Sequence, residues 1–187
     1  MKPIHNPPRH VDWATGALRG EPLIRKTTYL GDLAGVFADD EAWHQGDPLL
    51  PVYTVEMFDS PSGAGELYTG VTHLNPGRVG DEFFMTRGHF HARRGQGEVY
   101  FGLRGEGYLL LQDEQGKTRI EKVAAGSVHI IAGFTAHRLI NSGNEILSAL
   151  AVWPTTAGHD YASLAGGFAR RITTANLQLM AKEVQNG

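Results

Sequence analysis

The fold class can be inferred from residues 98–153, EVYFGLRGEGYLLLQDEQGKTRIEKVAAGSVHIIAGFTAHRLINSGNEILSALAVW. Short runs rich in Val, Ile, Leu, Tyr and Phe alternate here with Gly, Asn and Asp clusters, at intervals typical of sandwiches and barrels. The separators RGEG, DEQGK, AAG and NSGN offer Gly or Asn for positive φ, so we expect successive strands to be antiparallel neighbours. The runs predict strands at 98–104, 108–112, 118–123, 127–132, 137–141 and 146–153.

Upstream, residues 52–57 and 66–74 are also short runs rich in β-branched and aromatic residues, and we predict strands there too. About eight short strands without the long spacing of βαβ units predict an all-β jelly-roll barrel or a sandwich. Residues 1–50 show weak periodicity, so we interpret them as an extended N-terminal arm packing on a barrel of residues 51–187, within one domain. Short peripheral helices are expected after the acidic N-cap at Asp39 and near the C-terminus, in DYASLAGG and ANLQLMAKEV.

The composition excludes several classes of protein. Hydrophobic residues make up 41% and charged residues 20% of the 187 residues, as in globular domains. The net charge of -3, without a dense basic block, argues against nucleic acid as a partner. The N-terminal MKPIHNPPRHVDW lacks the apolar region of a signal peptide, and no apolar run is long enough to span a membrane. We therefore expect a cytoplasmic protein without a membrane partner.

A pair of histidines, His89 and His91, carries the first chemical signal. Alternate residues of a strand share a face, so both imidazoles can point into a barrel and reach one cation. With 9 histidines in 187 residues, about 0.4 such pairs are expected by chance. The pair therefore needs its context before it counts as evidence.

The context supplies two further donors. Glu98 begins the next predicted strand, and His137 lies two hairpins later. Because the chain has no cysteine, any metal must be held by histidine and carboxylate. Three imidazoles and one carboxylate suit Fe²⁺, Mn²⁺, Ni²⁺, Co²⁺ or Zn²⁺ and leave positions open for a substrate. These four residues predict a site for one divalent metal ion per subunit.

The two segments resemble the two cupin motifs, the first from His89 to Gly105 and the second from Gly126 to Asn141. Six residues separate His91 from Glu98, a spacer that is characteristic of the cupin-type phosphoglucose isomerases of archaea and some bacteria. The likeness to that family continues through GRVGDEFFMTRGHFHARRGQGEVYFGLRGEGYLLLQ, GFTAHRLIN and AVWPTTAGHDY. It covers most of residues 50–161 and implies a cupin barrel.

The resemblance implies the roles of individual residues. It makes His89, His91, Glu98 and His137 the metal ligands, with Fe²⁺ preferred, and it suggests a homodimer. Trp153 stands where the family has a tyrosine, and Phe134 replaces another aromatic hydroxyl, which leaves their effect on substrate choice open. The positions that the resemblance places around the sugar phosphate are Tyr53, Thr72, Thr86, Gly88, Tyr100, Trp153, His159 and Tyr161.

The implied reaction interconverts glucose 6-phosphate and fructose 6-phosphate, through a metal-stabilised cis-enediolate or a hydride shift. Glu98 is the candidate base that moves the proton between C2 and C1. Because coordination lowers the basicity of a carboxylate, we hypothesise that Glu98 loosens from the metal when sugar binds. Mannose 6-phosphate is a possible second substrate. The alternatives are another metal-dependent cupin enzyme, such as a dioxygenase or decarboxylase, and a non-catalytic sugar-binding cupin.

Overall fold

The computed structural model describes residues 9–20 and 22–177, and this part of the chain is built from short antiparallel strands. The strands are β1 (His10–Val11), β2 (Leu18–Arg19), β3 (Leu23–Tyr29), β4 (Pro51–Phe58), β5 (Leu67–Leu74), β6 (Arg78–Val79), β7 (Glu82–Phe83), β8 (Glu98–Arg104), β9 (Gly107–Asp113), β10 (Thr118–Val123), β11 (Val128–Ile131), β12 (Thr135–Ile140) and β13 (Leu147–Pro154).

Two sheets form the barrel. The larger has six strands in the order β11-β8-β13-β5-β4-β3, and the smaller has three in the order β10-β9-β12. One apolar core joins them, with Leu74 and Ile131 contributed by the larger sheet and Leu109 and Leu139 by the smaller. From β8 onward the chain passes repeatedly from one sheet to the other, as in a jelly roll. The predicted all-β jelly-roll class is confirmed.

Three of the four predicted turns do not join neighbouring strands of one sheet. Only DEQGK joins two paired neighbours, β9 and β10. The separators RGEG, AAG and NSGN instead carry the chain between the sheets, so the expectation of antiparallel neighbours was wrong there. Gly105 shows the reason, because its φ is 73° and a Cβ atom there would lie 2.4 Å from the carbonyl oxygen of Ile146. A glycine with positive φ is needed where the chain turns close to other backbone atoms, so it does not by itself indicate a hairpin.

The eight predicted strands are present, each within two residues of its predicted bounds. The strand β3 was missed, since it lies in the segment interpreted as an arm. It pairs with β4 along the edge of the larger sheet. The β1–β2 hairpin packs on the outer face of that sheet, where Leu18 contacts Phe58 and Val71. Part of the N-terminal segment therefore belongs to the barrel wall, and part of it covers that wall.

The helices are short. The helix α1 (Asp40–Gln45) begins as predicted, with the side chain of Asp39 accepting a hydrogen bond from the Ala42 amide. The DYASLAGG segment forms only a 3-10 turn at Ala162–Leu164. Residues 174–177 are helical, and the rest of the second predicted C-terminal helix lies outside the described residues. Among the described residues, no helix has the length and apolar character needed to cross a membrane.

Candidate metal centre and its cavity

Three chain segments bring the four predicted donors together. His89 pairs through its backbone with His137 of β12, in an isolated bridge with N···O distances of 3.2 and 3.1 Å. His91 follows on the same segment, and Glu98 is the first residue of β8. One donor atom from each of the four side chains lies within 4.8 Å of the others. This spacing suits the coordination of a single metal ion.

The orientation of His91 is fixed by the backbone. Its Nδ1 lies 2.8 Å from the Gln96 carbonyl oxygen, so Nδ1 donates and Nε2 is left facing Glu98. The Nε2 atom is 3.2 Å from Oε2 of Glu98. This is the arrangement in which a carbonyl behind a metal-binding imidazole selects its tautomer and its ring orientation.

His137 lacks the partners that a buried imidazole normally has. The residue is 1% exposed, and neither ring nitrogen makes a hydrogen bond. Its Nε2 lies 3.0 Å from Oε2 of Glu98, but without the geometry of a hydrogen bond. Leaving buried polar atoms unpaired costs about 1–3 kcal/mol each. A cation between His137 and Glu98 would supply the missing partner, so the donor set fits a metal ion.

The charge states of His89 and Glu98 fit the same interpretation. Burial, followed by the proximity of His137 and His159, lowers the pKa of His89, which keeps this imidazole neutral. Burial alone would raise the pKa of Glu98, but His137 and His91 lower it, so the carboxylate is ionised. A neutral imidazole and an ionised carboxylate are the forms that bind divalent metal ions.

A cavity of about 340 Å³ opens beside the four donors. This volume lies at the small end of the range for ligand sites. All twelve residues that sequence analysis assigned to the site line the cavity; their roles stay predictions. These residues are Tyr53, Thr72, Thr86, Gly88, His89, His91, Glu98, Tyr100, His137, Trp153, His159 and Tyr161.

Small residues on the inner face of the larger sheet make room for the cavity. Ala151 of β13 lies between Tyr100 of β8 and Gly70 of β5 in the register of the sheet. A Cβ atom on Gly70 would lie 3.2 Å from the ring of Trp153, so no side chain fits there without displacing a neighbour. The inner face is therefore concave at this point, whereas leucines fill the core nearby.

His159 and Tyr161 form one wall of the cavity. The ring of His159 lies 4.3 Å from that of His89, and it stacks parallel to Tyr161 with centroids 5.8 Å apart. Burial lowers the pKa of His159, and the charge of Lys26 acts in the same direction. Between them Asp160 bonds to Ser163 and Arg94, and these bonds lower its pKa to about 2. Asp160 thus holds this wall in place from behind.

The segment 86–88 lines the cavity next to Tyr161, with the guanidinium of Arg87 5.7 Å from that ring, and it is held by a buried arginine. Arg138 of β12 is 4% exposed and donates to the carbonyl oxygen of Arg87. Gly88 has a φ of 73°, and a Cβ atom there would lie 3.0 Å from Arg138. Burial lowers the pKa of Arg138 to about 9, with Arg171 acting in the same direction. Sequence analysis missed Arg138, because neither its burial nor its contact with the segment is visible in the motif.

Two aromatic residues that raised the question of substrate choice lie in different places. Trp153 lines the cavity, with its ring 5.6 Å from that of Tyr68. Phe134 is not among the lining residues; it is 54% exposed in a left-handed conformation, with φ of 62°. Sequence analysis also missed the contribution of β3, whose alternate residues Ile24, Lys26 and Thr28 line the cavity.

Comparison with known proteins gives the family. Residues 26–186 match the family model described as glucose-6-phosphate isomerase (GPI). The chain belongs to the glucose-6-phosphate isomerase family. It is similar to the glucose-6-phosphate isomerase of Thermococcus litoralis, with 37% identity over 92% of both chains. It is similar also to that of Thermococcus kodakarensis, with 40% identity over 82% of this chain and 81% of the relative.

The family prediction is thereby confirmed. Among solved structures, an oxalate decarboxylase of Lactobacillus farciminis superposes with a TM-score of 0.45 and 18% identity, over 69% of this chain and 33% of the other. That likeness is too weak to support an argument about this family member.

Proposed function

We propose that the protein is a metal-dependent glucose-6-phosphate isomerase, which interconverts glucose 6-phosphate and fructose 6-phosphate in glycolysis and gluconeogenesis. The observation that carries the proposal is the cluster of His89, His91, Glu98 and His137 at a hydroxyl-rich cavity, in a chain of the isomerase family. The name of the relatives alone would support the reaction. The cluster adds residues able to carry it out.

His89, His91, Glu98 and His137 would hold one divalent metal ion, with Fe²⁺ preferred and Mn²⁺, Ni²⁺ or Zn²⁺ as alternatives. Such an ion supplies Lewis acidity beside the oxygens on C1 and C2 of the sugar. The chain itself holds those donors in a fixed arrangement, because β12, β8 and the His89 segment are linked through backbone hydrogen bonds and core packing.

Glu98 is the residue that moves the proton. Its carboxylate is 8% exposed and is the acidic side chain among the described lining residues. In a proton-transfer mechanism it removes the proton from C2, which gives a cis-enediolate, and returns the proton to C1. The alternative is direct transfer of hydride between the two carbons, for which no base at C2 is needed.

The remaining lining residues would bind the sugar phosphate. These residues line the cavity, and the hydroxyls, ring nitrogen and backbone amides that they offer are donors suited to a sugar phosphate. Mannose 6-phosphate, which shares the same enediolate, is a further candidate substrate. The substrate-binding residues of this proposal are Tyr53, Thr72, Thr86, Gly88, Tyr100, Trp153, His159 and Tyr161.

A coupled assay tests the proposal against its two rivals. Protein loaded with Fe²⁺, Mn²⁺, Ni²⁺ or Zn²⁺ is given fructose 6-phosphate, and glucose 6-phosphate is measured alongside oxygen uptake and carbon dioxide release. We expect isomerisation without either gas reaction. Oxygen uptake or decarboxylation without isomerisation would indicate another cupin enzyme. Sugar binding without turnover by any metal form would indicate a binding cupin.

Filling the cavity should block the substrate while sparing the fold. Ala151→Leu places three extra carbons beside Tyr100 and Gly70, and the cavity has room for them without moving the core. We expect the KM for fructose 6-phosphate to rise about 30-fold or more, since the new side chain occupies space that the sugar needs. Ala151→Ser is the matched control and should keep the KM. Equal effects of both variants would contradict the assigned cavity.

We also propose that the protein is a homodimer. Val99, Val128 and Ile130 are 38%, 59% and 63% exposed. They are neighbours on the outer face of β8 and β11, and β11 forms an edge of the larger sheet. An exposed apolar patch beside a free strand edge is typical of an interface. Light scattering should give the mass of two chains, and Ile130→Glu should give that of one. A wild-type monomer would contradict the proposal.

The substrate also supports a location. Phosphorylated hexoses are charged and do not cross membranes unaided, so an enzyme that acts on them is expected in the cytoplasm. Cell fractionation with an antibody against the protein tests this assignment.

A further inference from the structure

The structure places a lysine from outside the cupin motifs at the mouth of the cavity. Lys26 lies on β3, the edge strand of the larger sheet, and it lines the cavity together with Ile24 and Thr28. Alternate residues of a strand share a face, so these three side chains are on the inner side of the sheet. The intervening Arg25 points to the outer face, where it forms an ion pair with Glu56.

Among the described residues, Lys26 has no such partner. Within residues 9–20 and 22–177, the ion pairs involve other basic side chains. Histidines apart, the charged residues among the described lining are Lys26, Arg87 and Glu98. Glu98 lies in the cluster of metal donors with His89, His91 and His137, so its negative charge acts there. Lys26 therefore adds a positive charge to the cavity lining that no carboxylate of the described residues pairs with.

Hydroxyl groups surround Lys26 in the register of the sheet. Val55, its partner on β4, pairs in turn with Thr72 of β5. Thr28, two residues along β3, pairs with Tyr53. Three hydroxyls and an ammonium group on one concave face are donors suited to an anion with several acceptor oxygens. The row on the other side, Ile24 and Met57, is apolar and would not bind one.

We propose that Lys26 is a further binding residue for the phosphate of the substrate, contributed by the edge strand β3 from outside the cupin motifs. This inference rests on the proposed function, since it takes a sugar phosphate as the ligand. The sugar then spans the cavity, with its reacting carbons at His89 and Glu98 and its phosphate toward the edge strand. The residue binds substrate and takes no part in the chemistry.

Two variants and a control test the proposal in the full-length, metal-loaded protein. Lys26→Met should raise the KM for fructose 6-phosphate by about 10- to 100-fold, because a charge-assisted hydrogen bond to phosphate is lost. Its kcat should change by less than about threefold, because a lost phosphate contact weakens the ground state and the transition state alike. Lys26→Arg should restore most of the affinity. Arg25→Met, which removes a charge from the other face of the same strand, should leave the KM unchanged.

Calorimetry with glucitol 6-phosphate separates this inference from the proposed function. This hexitol has no carbonyl and cannot be isomerised, so its binding does not depend on turnover. If the protein isomerises no sugar but Lys26→Met weakens glucitol 6-phosphate binding by about tenfold or more, the inference stands and the proposed function falls. If isomerisation is observed and Lys26→Met keeps both the KM and this affinity, the inference falls alone.

Discussion

Glu98→Gln should lower the kcat for fructose 6-phosphate isomerisation by about 10³-fold. The substitution keeps the shape of the side chain but removes its charge. An amide neither accepts the C1 proton of fructose 6-phosphate nor serves as well as a metal ligand. Glu98 sits within 3.2 Å of His91 and 3.0 Å of His137, where its ionised form is favoured by both rings. The coupled assay at saturating metal measures the loss, and metal analysis shows how much metal each protein retains.

Glu121→Gln provides the matched control. Glu121 also accepts from a buried histidine, with Oε2 lying 2.6 Å from Nδ1 of His129, but it does not line the cavity. It should retain wild-type kcat. Turnover in deuterated water then tests the role of Glu98 itself. Solvent label in the product supports proton transfer through this residue. A product without label at every extent of turnover supports hydride transfer and contradicts a base at position 98.

His137→Leu should abolish metal binding without weakening the metal-free fold. The two ring nitrogens of His137 are buried and unpaired, so an apolar side chain of similar size removes a cost of about 1–3 kcal/mol per atom. This gain offsets the loss of the effect by which the ring favours ionised Glu98. The metal-free variant should unfold at or above the temperature of the metal-free wild type. Metal at about 1,000 times its Kd should stabilise the wild type by about 4 kcal/mol and the variant hardly at all. Isomerase activity should fall with the metal.

His129→Leu should show the reverse behaviour. His129 is equally buried at 4% exposure, but its nitrogens contact Glu121 at 2.6 Å and Ser127 at 2.9 Å. Removing this ring takes away two hydrogen bonds of a buried side chain, although Glu121 keeps its ion pair with Arg119 and Ser127 its bonds to Ala124. The loss should cost about 1–3 kcal/mol of stability. The metal-induced rise in melting temperature should remain. If both variants lose stability alike and both keep the metal, His137 is an ordinary core residue.

The metal centre could be predicted from sequence because its geometry is local. His89 and His91 share a face through the two-residue period of extended chain. Glu98 opens the strand that follows, and His137 marks the second motif. These residues come together in the structure because β8 and β12 form where their apolar patterns predict strands. The exact neighbour of each ligand, such as the Gln96 carbonyl behind His91, depends on backbone geometry that residue types do not specify.

The edge strand β3 could not be predicted in the same way. An edge strand has one partner strand and solvent beyond it, and in LIRKTTY the inward residues Ile24, Lys26 and Thr28 are mixed in polarity. No apolar alternation therefore marks the strand. Its assignment depends on hydrogen bonds to β4, a strand about 30 residues away along the chain.

The prediction that each turn joins neighbouring strands failed for a related reason. A glycine with positive φ ends a strand, but the local sequence does not say whether the next strand joins the same sheet or the facing one. That choice depends on which faces the core must cover. Phe134 shows a similar limit, because the match to a family position placed it near the sugar, whereas the loop turns its ring outward.

Metal removal and re-addition show whether isomerisation depends on a bound metal ion. The protein is stripped with a chelator, and the rate of fructose 6-phosphate conversion is measured before and after Fe²⁺, Mn²⁺, Ni²⁺ or Zn²⁺ is restored. We expect the stripped protein to show background rates, and at least one metal to restore activity at one ion per chain. Full activity in the stripped protein, or none with every metal, would contradict a metal-dependent isomerase.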